Sequence, residues 1–183
     1  QGIPKVFPPL NERLTVASSN NFTNIPGSPI CYWIGEEWVS IFRKGIPLRE
    51  LGDPRQGMAT SDNNKFLRLW WEIETKKFKR NSRSKNESIS SNQKWYPYNK
   101  GGKFRKWYGN CEFVVNWERD GLEIKNYSGS VIRNENYYFK TCISWSKIST
   151  KNLAMRFYPN GFLFDVAGCS IFSKDSDNLI KLL

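Results

Sequence analysis

The residues of this chain best suited to binding chemistry are cations and aromatic rings concentrated between Thr75 and Cys111, in TKKFKRNSRSKNESISSNQKWYPYNKGGKFRKWYGNC. The stretch holds 11 Lys or Arg residues against one acid, Glu87, and therefore carries +10 of the formal net charge of +11. Lysine and arginine bind phosphates, and aromatic rings stack on bases and sugars. The stretch thus predicts nucleic-acid binding. For its first half, residues 76–94, a solvated and flexible basic loop is an equally good interpretation.

A second group of hydrogen-bond donors surrounds a tight loop, Thr60–Asn64, in RQGMATSDNNKFLRLWWEIET. We call this segment the polar loop. Asn, Gln and Arg side chains donate to base edges or phosphates, although Asp62 and Asn63 could equally serve only to close the turn. We predict phosphate contacts from the cations between Lys94 and Lys106, and groove contacts from the loop together with Lys147. The predicted DNA-binding residues are Arg55, Gln56, Thr60, Asn63, Asn64, Lys65, Arg68, Lys94, Tyr98, Asn99, Lys100, Lys103, Arg105, Lys106 and Lys147.

Two sets of side chains have the composition of a metal-dependent nuclease site. Each set offers two carboxylates for Mg²⁺ and one lysine for the developing charge. Glu-x-Lys triplets arise by chance in a chain rich in both residues, and surface ion pairs explain them better. A nuclease therefore remains only an alternative, and we assign no metal ligand. The two sets are Asp62, Glu74, Lys76 and Asp120, Glu123, Lys125.

Catalytic motifs are missing from the sequence. The chain contains no histidine, which removes the usual proton shuttle at neutral pH and with it Ser-His-Asp, Cys-His and most zinc chemistry. It also lacks the Asn/Asp-Pro-Pro-aromatic loop that holds a flipped base, a Gly-rich turn for S-adenosylmethionine and a nucleotide phosphate loop. We therefore predict no catalytic residue and no cofactor in this chain. Its widely spaced cysteines are interpreted as reduced, mostly buried thiols: Cys31, Cys111, Cys142 and Cys169.

The elements that must position these residues are short. Ser28 as N-cap and Pro29 as the first helical residue predict a helix that ends at Gly45, and KWYPYNKGGKFRKWYGN is predicted as a loop-helix segment. The fold class is α+β: a β-rich single domain of mostly antiparallel short strands, with this N-terminal helix and a truncated C-terminal helix in DSDNLIKLL. Strands are predicted at Leu69–Thr75 and in FVVNW, LEIKNY, YYFKTCISWSKI, LAMRFY, FLFDVAG and SIF.

Length and hydropathy place limits on the organisation of the chain. At 183 residues and 39% hydrophobic composition, it can form one domain with a core. Proline and polar residues make residues 1–28 an irregular leading segment, so the domain is placed at residues 29–183, with a basic insert at 76–94. No run approaches the roughly 18 apolar residues of a membrane span, and the first residues do not have a signal-peptide pattern. We expect a cytoplasmic protein with no membrane partner.

Several stretches together resemble the target-recognition region of adenine-specific DNA methyltransferases of the PglX type, from bacterial BREX phage-defence systems. Related restriction-modification enzymes with a TaqI-like specificity domain share this resemblance. It runs from about Ile25 to the end of the chain. The stretches are, in order, IPGSPICYW, RQGMATSDNNKFLRLWWE, KWYPYNKGGKFRKWYGNCEFVVNWERDG, YYFKTCISWSKIS and FYPNGFLFDVAGCSIF.

This resemblance implies a bacterial parent enzyme that transfers a methyl group from S-adenosylmethionine to N6 of adenine. Residues 29–183 would be its DNA target-recognition domain, a fragment that contacts double-stranded DNA while an upstream methyltransferase domain holds the cofactor and performs the chemistry. The family usually has glycine where Ser61 stands, which leaves the geometry of that turn open. Besides the nuclease, the alternative from another class is an aromatic platform that binds single-stranded nucleic acid or polysaccharide.

Overall fold

The computed structural model describes residues 17–149 and 152–173. The chain divides into two compact units, Gln1–Pro47 and Leu48–Leu183, whereas the domain boundary after residue 28 stays a prediction. The predicted C-terminal helix lies outside the described residues.

Within residues 17–47, the described part of the first unit, there are two helices, α1 (Ser19–Phe22) and α2 (Glu36–Lys44). Helix α2 ends before Gly45, as predicted, but it begins later than the expected start after Ser28. Ser28 has a φ of 45°, and its N–H closes a turn on the carbonyl of Ile25 at 2.8 Å. An N-cap residue needs an extended backbone, so the predicted Ser28 cap is wrong, and Gly35 takes that position.

The second unit is built from short strands joined by turns and small helices. The longest helix in the described residues spans nine residues, and none of these helices has the length and apolarity that a membrane crossing needs. The strands are β1 (Asp53–Arg55), β2 (Leu67–Leu69), β3 (Trp95–Asn99), β4 (Phe113–Asn116), β5 (Cys142–Ser146), β6 (Arg156–Tyr158), β7 (Leu163–Phe164) and β8 (Gly168–Phe172). The helices are α3 (Leu48–Leu51), α4 (Asn63–Phe66), α5 (Lys85–Ser90) and α6 (Glu118–Lys125), with 3₁₀ turns at Trp70–Glu72, Thr75–Lys77 and Glu135–Tyr137.

The strands form two four-stranded sheets. Sheet I has the order β1-β8-β5-β6 and is antiparallel throughout. Sheet II has the order β2-β4-β3-β7, in which only the β3–β7 pair is parallel, with Tyr98 opposite Leu163. The predicted α+β class with mostly antiparallel short strands is therefore confirmed.

A large apolar core and a small second cluster around Ile143 and Ile171 hold together the described part of the second unit. The rings of the large core meet edge to face, as Trp117 and Tyr138 do at 5.3 Å between centroids, a geometry that the ring quadrupoles favour. Gly57 is required at its edge, because a Cβ there would lie 1.8 Å from the carbonyl oxygen of Phe164. The largest core side chains are Met58, Phe66, Tyr96, Tyr98, Trp117, Phe139, Tyr158 and Phe164.

Three predicted elements of this unit are wrong. The strand expected at Leu69–Thr75 lies earlier, at β2, and is followed by 3₁₀ turns. LEIKNY begins in helix α6, after a left-handed turn at residues 119–121. The expected loop-helix segment KWYPYNKGGKFRKWYGN begins instead with strand β3, which pairs with β4 on one side and β7 on the other.

The basic insert is more ordered than a solvated loop. Ser84 caps helix α5 by accepting from the N–H of Glu87, and Ser88 is buried. Lys85 pairs with Asp120 at 2.8 Å and with Glu135 at 3.3 Å. These contacts attach α5 to the body of the unit and use one of the insert's cations internally.

We expect the second unit to lose stability in alkaline solution. Burial raises the pKa of the Cys142 thiol to about 12. Above a pH of about 9 the unfolded chain releases this proton while the folded chain keeps it, so the free energy of unfolding should fall by about 1.4 kcal/mol per pH unit. Burial shifts the pKa values of Tyr98, Tyr138 and Tyr158 in the same direction.

Urea unfolding at pH values between about 8 and 10 measures this loss, and Cys142→Ala should make the slope with pH shallower. An unchanged slope in that variant would contradict the assignment to Cys142.

Candidate nucleic-acid interface

The two sheets meet at the end of β3, where Asn99 connects them. Its side-chain amide donates to the hydroxyls of Ser144 at 2.7 Å and Ser170 at 3.3 Å, on β5 and β8 of sheet I. Its side-chain oxygen accepts from the N–H of Gly101 at 3.1 Å. Gly101 has a φ of 74°, and a Cβ there would lie 2.6 Å from the carbonyl oxygen of Ala167. The segment that follows, residues 100–110, carries Lys100, Lys103, Arg105 and Lys106, and we call it the basic loop. It starts from a fixed point.

Asp165 is the buried carboxylate beside this point, with 1% of its surface exposed. Its Oδ2 accepts from the Tyr98 hydroxyl at 2.6 Å and from Lys100 Nζ at 2.7 Å, and its Oδ1 accepts from the N–H of Ala167 at 2.8 Å. Burial, reinforced by the Asp165 charge, raises the pKa of Tyr98 well above its ordinary value. The tyrosine thus remains a donor, and the carboxylate is satisfied at both oxygens.

Lys100 extends this network to the polar loop predicted to bind DNA. Its ammonium also donates to Asn63 Oδ1 at 3.2 Å, and the Thr60 hydroxyl donates to the same oxygen at 3.0 Å. Asp62 caps α4 by accepting from the N–H of Lys65. Ser61 has a φ of 65°, the left-handed conformation that glycine adopts most readily. Ser61 therefore holds a backbone conformation that is more usual for glycine.

Two clefts lie on either side of this junction. One has a volume of about 450 Å³ and includes Asn63, Asn64, Arg68 and Lys100 in its wall. The other, of about 330 Å³, is lined by Gly102, Lys103, Ser146 and Arg156 together with apolar side chains. Lys100 and Gly102 are two residues apart, so both clefts border the same start of the basic loop.

A buried arginine on β6 holds the far part of the basic loop. Arg156 is fully buried and donates to the carbonyl oxygen of Arg105 at 3.4 Å and to the Ser146 hydroxyl at 3.1 Å. The N–H of Trp107 donates to the carbonyl of Met155 at 3.0 Å. These bonds fasten residues 105–107 against sheet I, so the loop's cations project from a supported backbone.

The cations of the basic loop, and Lys147 just after β5, differ in whether a carboxylate neutralises them. Lys103, Lys106 and Lys147 are exposed, and within residues 17–149 and 152–173 none of them forms an ion pair. Arg105 instead pairs with Glu112 at 2.8 Å. The three exposed lysines are therefore the cations of this region best placed to contact phosphates.

Several predicted contact residues lie elsewhere or are already engaged. Arg55 pairs with Asp53 at 3.5 Å and donates to the Tyr137 hydroxyl. Asn134 donates to the backbone carbonyl of Gln56 and so leaves the Gln56 side chain unengaged by this bond. Lys65 pairs with Glu123 at 3.1 Å and Lys94 lies over the Trp95 ring. The junction at Lys100 does not bring these four residues together.

Three predicted contact residues are corrected, because their side chains are buried. Thr60, Tyr98 and Asn99 are at most 1% exposed. Residues 96–99 of strand β3 are all buried, and its two edges pair with β4 and β7. These side chains position the polar loop and the basic loop and do not reach a duplex.

Sequence reasoning missed Asp165 and Arg156, the two buried charges that organise the region. Each is a lone charged residue inside an apolar segment, FLFDVAG and LAMRFY. A charge is seldom buried without partners, so this pattern was the available signal. It identifies neither partner, because those partners are distant in sequence.

The carboxylates of the nuclease alternative are engaged in structural roles. Glu74 pairs with Lys76 at 3.2 Å and Lys77 at 2.6 Å, while Asp120 pairs with Lys125 at 2.7 Å. In the part of the chain that the structure describes, no group of three His, Cys, Asp or Glu side chains is arranged to hold a metal. The sets proposed from sequence are better explained as ion pairs.

The adjacent exposed rings of Trp70 and Trp71 do not form the flat surface that the aromatic-platform alternative needs. Trp70 and Trp71 are 5.5 Å apart between centroids, but their planes cross at 89°. Stacking on successive bases or sugars requires rings that present their faces, whereas this pair presents one face and one edge.

The chain matches a single segment in each of two curated proteins. No protein-family model matches it. It is 39% identical over 171 residues to adenine-specific methyltransferase PglX of Lacticaseibacillus casei (strain Zhang), a match that covers 89% of this chain and 14% of that protein. The chain is similar to a segment of adenine-specific methyltransferases. A second relative, adenine-specific methyltransferase BrxX of Escherichia coli O9:H4 (strain HS), is 37% identical over 162 residues, covering 87% of this chain and 12% of that protein. The chain thus spans about an eighth of the length of either relative.

Proposed function

We propose that this chain recognises a sequence in double-stranded DNA as the target-recognition part of an S-adenosylmethionine-dependent adenine-N6 methyltransferase. The parent would belong to a BREX phage-defence or restriction-modification system. The similarity to segments of PglX and BrxX supports a methyltransferase parent. The chain carries no motif for the cofactor or for the flipped base, so we assign the chemistry to other parts of that parent.

The observation that carries the proposal is the hydrogen bond between Lys100 and Asn63, 3.2 Å long. It joins the two loops that were singled out independently for base contacts and for phosphate contacts. Sequence-specific proteins need both kinds of contact at one surface, because phosphate contacts fix the register and base contacts provide the specificity. A basic loop that was merely solvated would not need this connection.

Different residues would take the two roles. Lys103, Lys106 and Lys147 are exposed and unpaired in the described part of the chain, so we assign them to phosphates. Asn63 and Arg68 share one cleft, so we assign them to base edges or to the sugar-phosphate wall of the groove.

Fluorescence anisotropy with a labelled random duplex tests this function. If these three lysines and Arg68 touch phosphates, affinity should fall about a hundredfold between about 50 and 200 mM salt. Unlabelled single strand and a neutral oligosaccharide serve as competitors. Effective competition by either one, or the absence of duplex binding at low salt, would contradict duplex recognition by this chain.

A further inference from the structure

Asn63 is an exposed residue whose side-chain amide has a fixed orientation. An asparagine amide normally presents either its oxygen or its nitrogen after a rotation about its last bond. Here the atom facing Lys100 must be the oxygen, because an ammonium group only donates. Lys100 and Thr60 occupy that oxygen from 3.2 and 3.0 Å.

The orientation is reinforced from inside the protein. Lys100 is itself held by the buried Asp165 at 2.7 Å, and Thr60 is 1% exposed. Turning the amide over would direct its N–H groups at an ammonium and lose both hydrogen bonds, each contributing about 1 kcal/mol. The free amide of Asn63 is therefore already in its binding orientation before any ligand arrives.

This arrangement leaves Asn63 as a donor only. Both acceptor positions of its oxygen are occupied, while its nitrogen has no hydrogen-bond partner among the described residues. The cleft that Asn63 lines also contains Arg68, another donor. Glu72, the acid in the same cleft, already accepts from the N–H of Leu69 at 2.7 Å. The other oxygen of Glu72 and the side-chain oxygen of Asn64 remain acceptors in this cleft, so the donor-only character belongs to Asn63 itself.

We infer that Asn63 is a specificity-determining residue that favours a base edge made of acceptors, the N7 and O6 of guanine in the major groove. The usual pairing of asparagine with adenine needs the amide oxygen to accept from N6, and that oxygen is occupied here. Guanine presents two acceptors and no donor on its major-groove edge. This inference rests on the proposed function, since it concerns how the same surface selects DNA.

The test is a selection of bound duplexes from a randomised library by the wild-type chain and by Asn63→Asp. The aspartate has the same shape: one oxygen keeps the bonds to Lys100 and Thr60, and the other replaces the donor with an acceptor. We expect one position of the selected site to change from guanine to a base that donates, cytosine or adenine, with a discrimination of about tenfold or more.

Two further variants isolate the mechanism. Asn64→Asp adds the same charge one residue away and should weaken all duplexes without changing the guanine position. Lys100→Met removes a donor whose side chain is 26% exposed and opens one acceptor position on Asn63, so adenine should become tolerated at that position. Thermal melting of each variant confirms that it folds.

The outcomes separate this inference from the function on which it rests. Failure of the wild-type chain to bind any duplex contradicts both. Sequence-selective wild-type binding with the same preferred bases in Asn63→Asp overturns only the role of Asn63, as does a uniform loss of affinity equal to that of Asn64→Asp.

Discussion

Replacing Asp165 with alanine is expected to lower the free energy of unfolding by about 3 to 5 kcal/mol. The carboxylate accepts three hydrogen bonds, from Tyr98, Lys100 and the N–H of Ala167. Its removal leaves the N–H of Ala167 without an acceptor, the Tyr98 hydroxyl with only the Met58 carbonyl at 3.5 Å, and the ammonium without a counter-charge. Lys100 retains 26% of its side-chain exposure and can recover water, so the loss should lie toward the lower end of that range.

Urea unfolding followed by circular dichroism measures this loss. Glu74→Ala is the control, because Glu74 is 52% exposed and pairs only with the exposed Lys76 and Lys77 among the described residues, at 3.2 and 2.6 Å. A surface pair of this kind should cost less than about 1 kcal/mol. Equal losses in the two variants would mean that the buried network contributes no more than a surface ion pair.

The parts of the fold that could be predicted are those whose determinants are local. The segment FVVNW was predicted as a strand, and β4 occupies Phe113–Asn116. The turn predicted at Asp120 and Gly121 is present, with φ values of 59° and 69°, because these residues tolerate left-handed backbone better than others. Gly45 ends α2 as expected.

The wrong elements are those that tertiary contacts decide. In LEIKNY, Leu122 and Ile124 alternate with polar residues, a pattern that a strand and a single helical turn share over so few residues. A strand would place both on one face, whereas Leu122 is exposed and Ile124 is buried. Lys125 pairs with Asp120 and Glu135 at 2.7 and 2.8 Å, which favours the helical turn. In KWYPY, the strand is fixed by its neighbours β4 and β7, and β7 lies more than 60 residues later in the chain.

The candidate site was predictable in its location but not in its detail. Composition identified the polar loop and the basic loop, and the structure brings Asn63 and Lys100 together. Which cations are neutralised depends on folding, because Lys65 finds Glu123 far along the chain. Burial is equally non-local, so Tyr98 could not be distinguished from a surface ring.

Removing Lys103, Lys106 and Lys147 should have the largest effect on DNA binding. Lys103→Ala, Lys106→Ala and Lys147→Ala together are expected to lower duplex affinity up to about 500-fold at about 0.1 M salt, since each phosphate contact contributes about 0.9 log unit per decade of salt. The salt dependence should become shallower by about 3 log units per decade. The loss should be the same for every duplex sequence, because phosphates carry no sequence information.

A matched variant distinguishes the placement of these charges from their number. Lys76→Ala, Lys77→Ala and Lys79→Ala together remove the same net charge, but Lys76 and Lys77 already pair with Glu74 and Lys79 pairs with Glu87. If the three unpaired lysines touch phosphates, this variant should bind within a few-fold of wild type, with an almost unchanged salt slope. Equal losses in both variants would mean that the overall charge attracts DNA without a defined contact surface. A loss confined to the first variant would instead support the surface on which Asn63 and Lys100 meet.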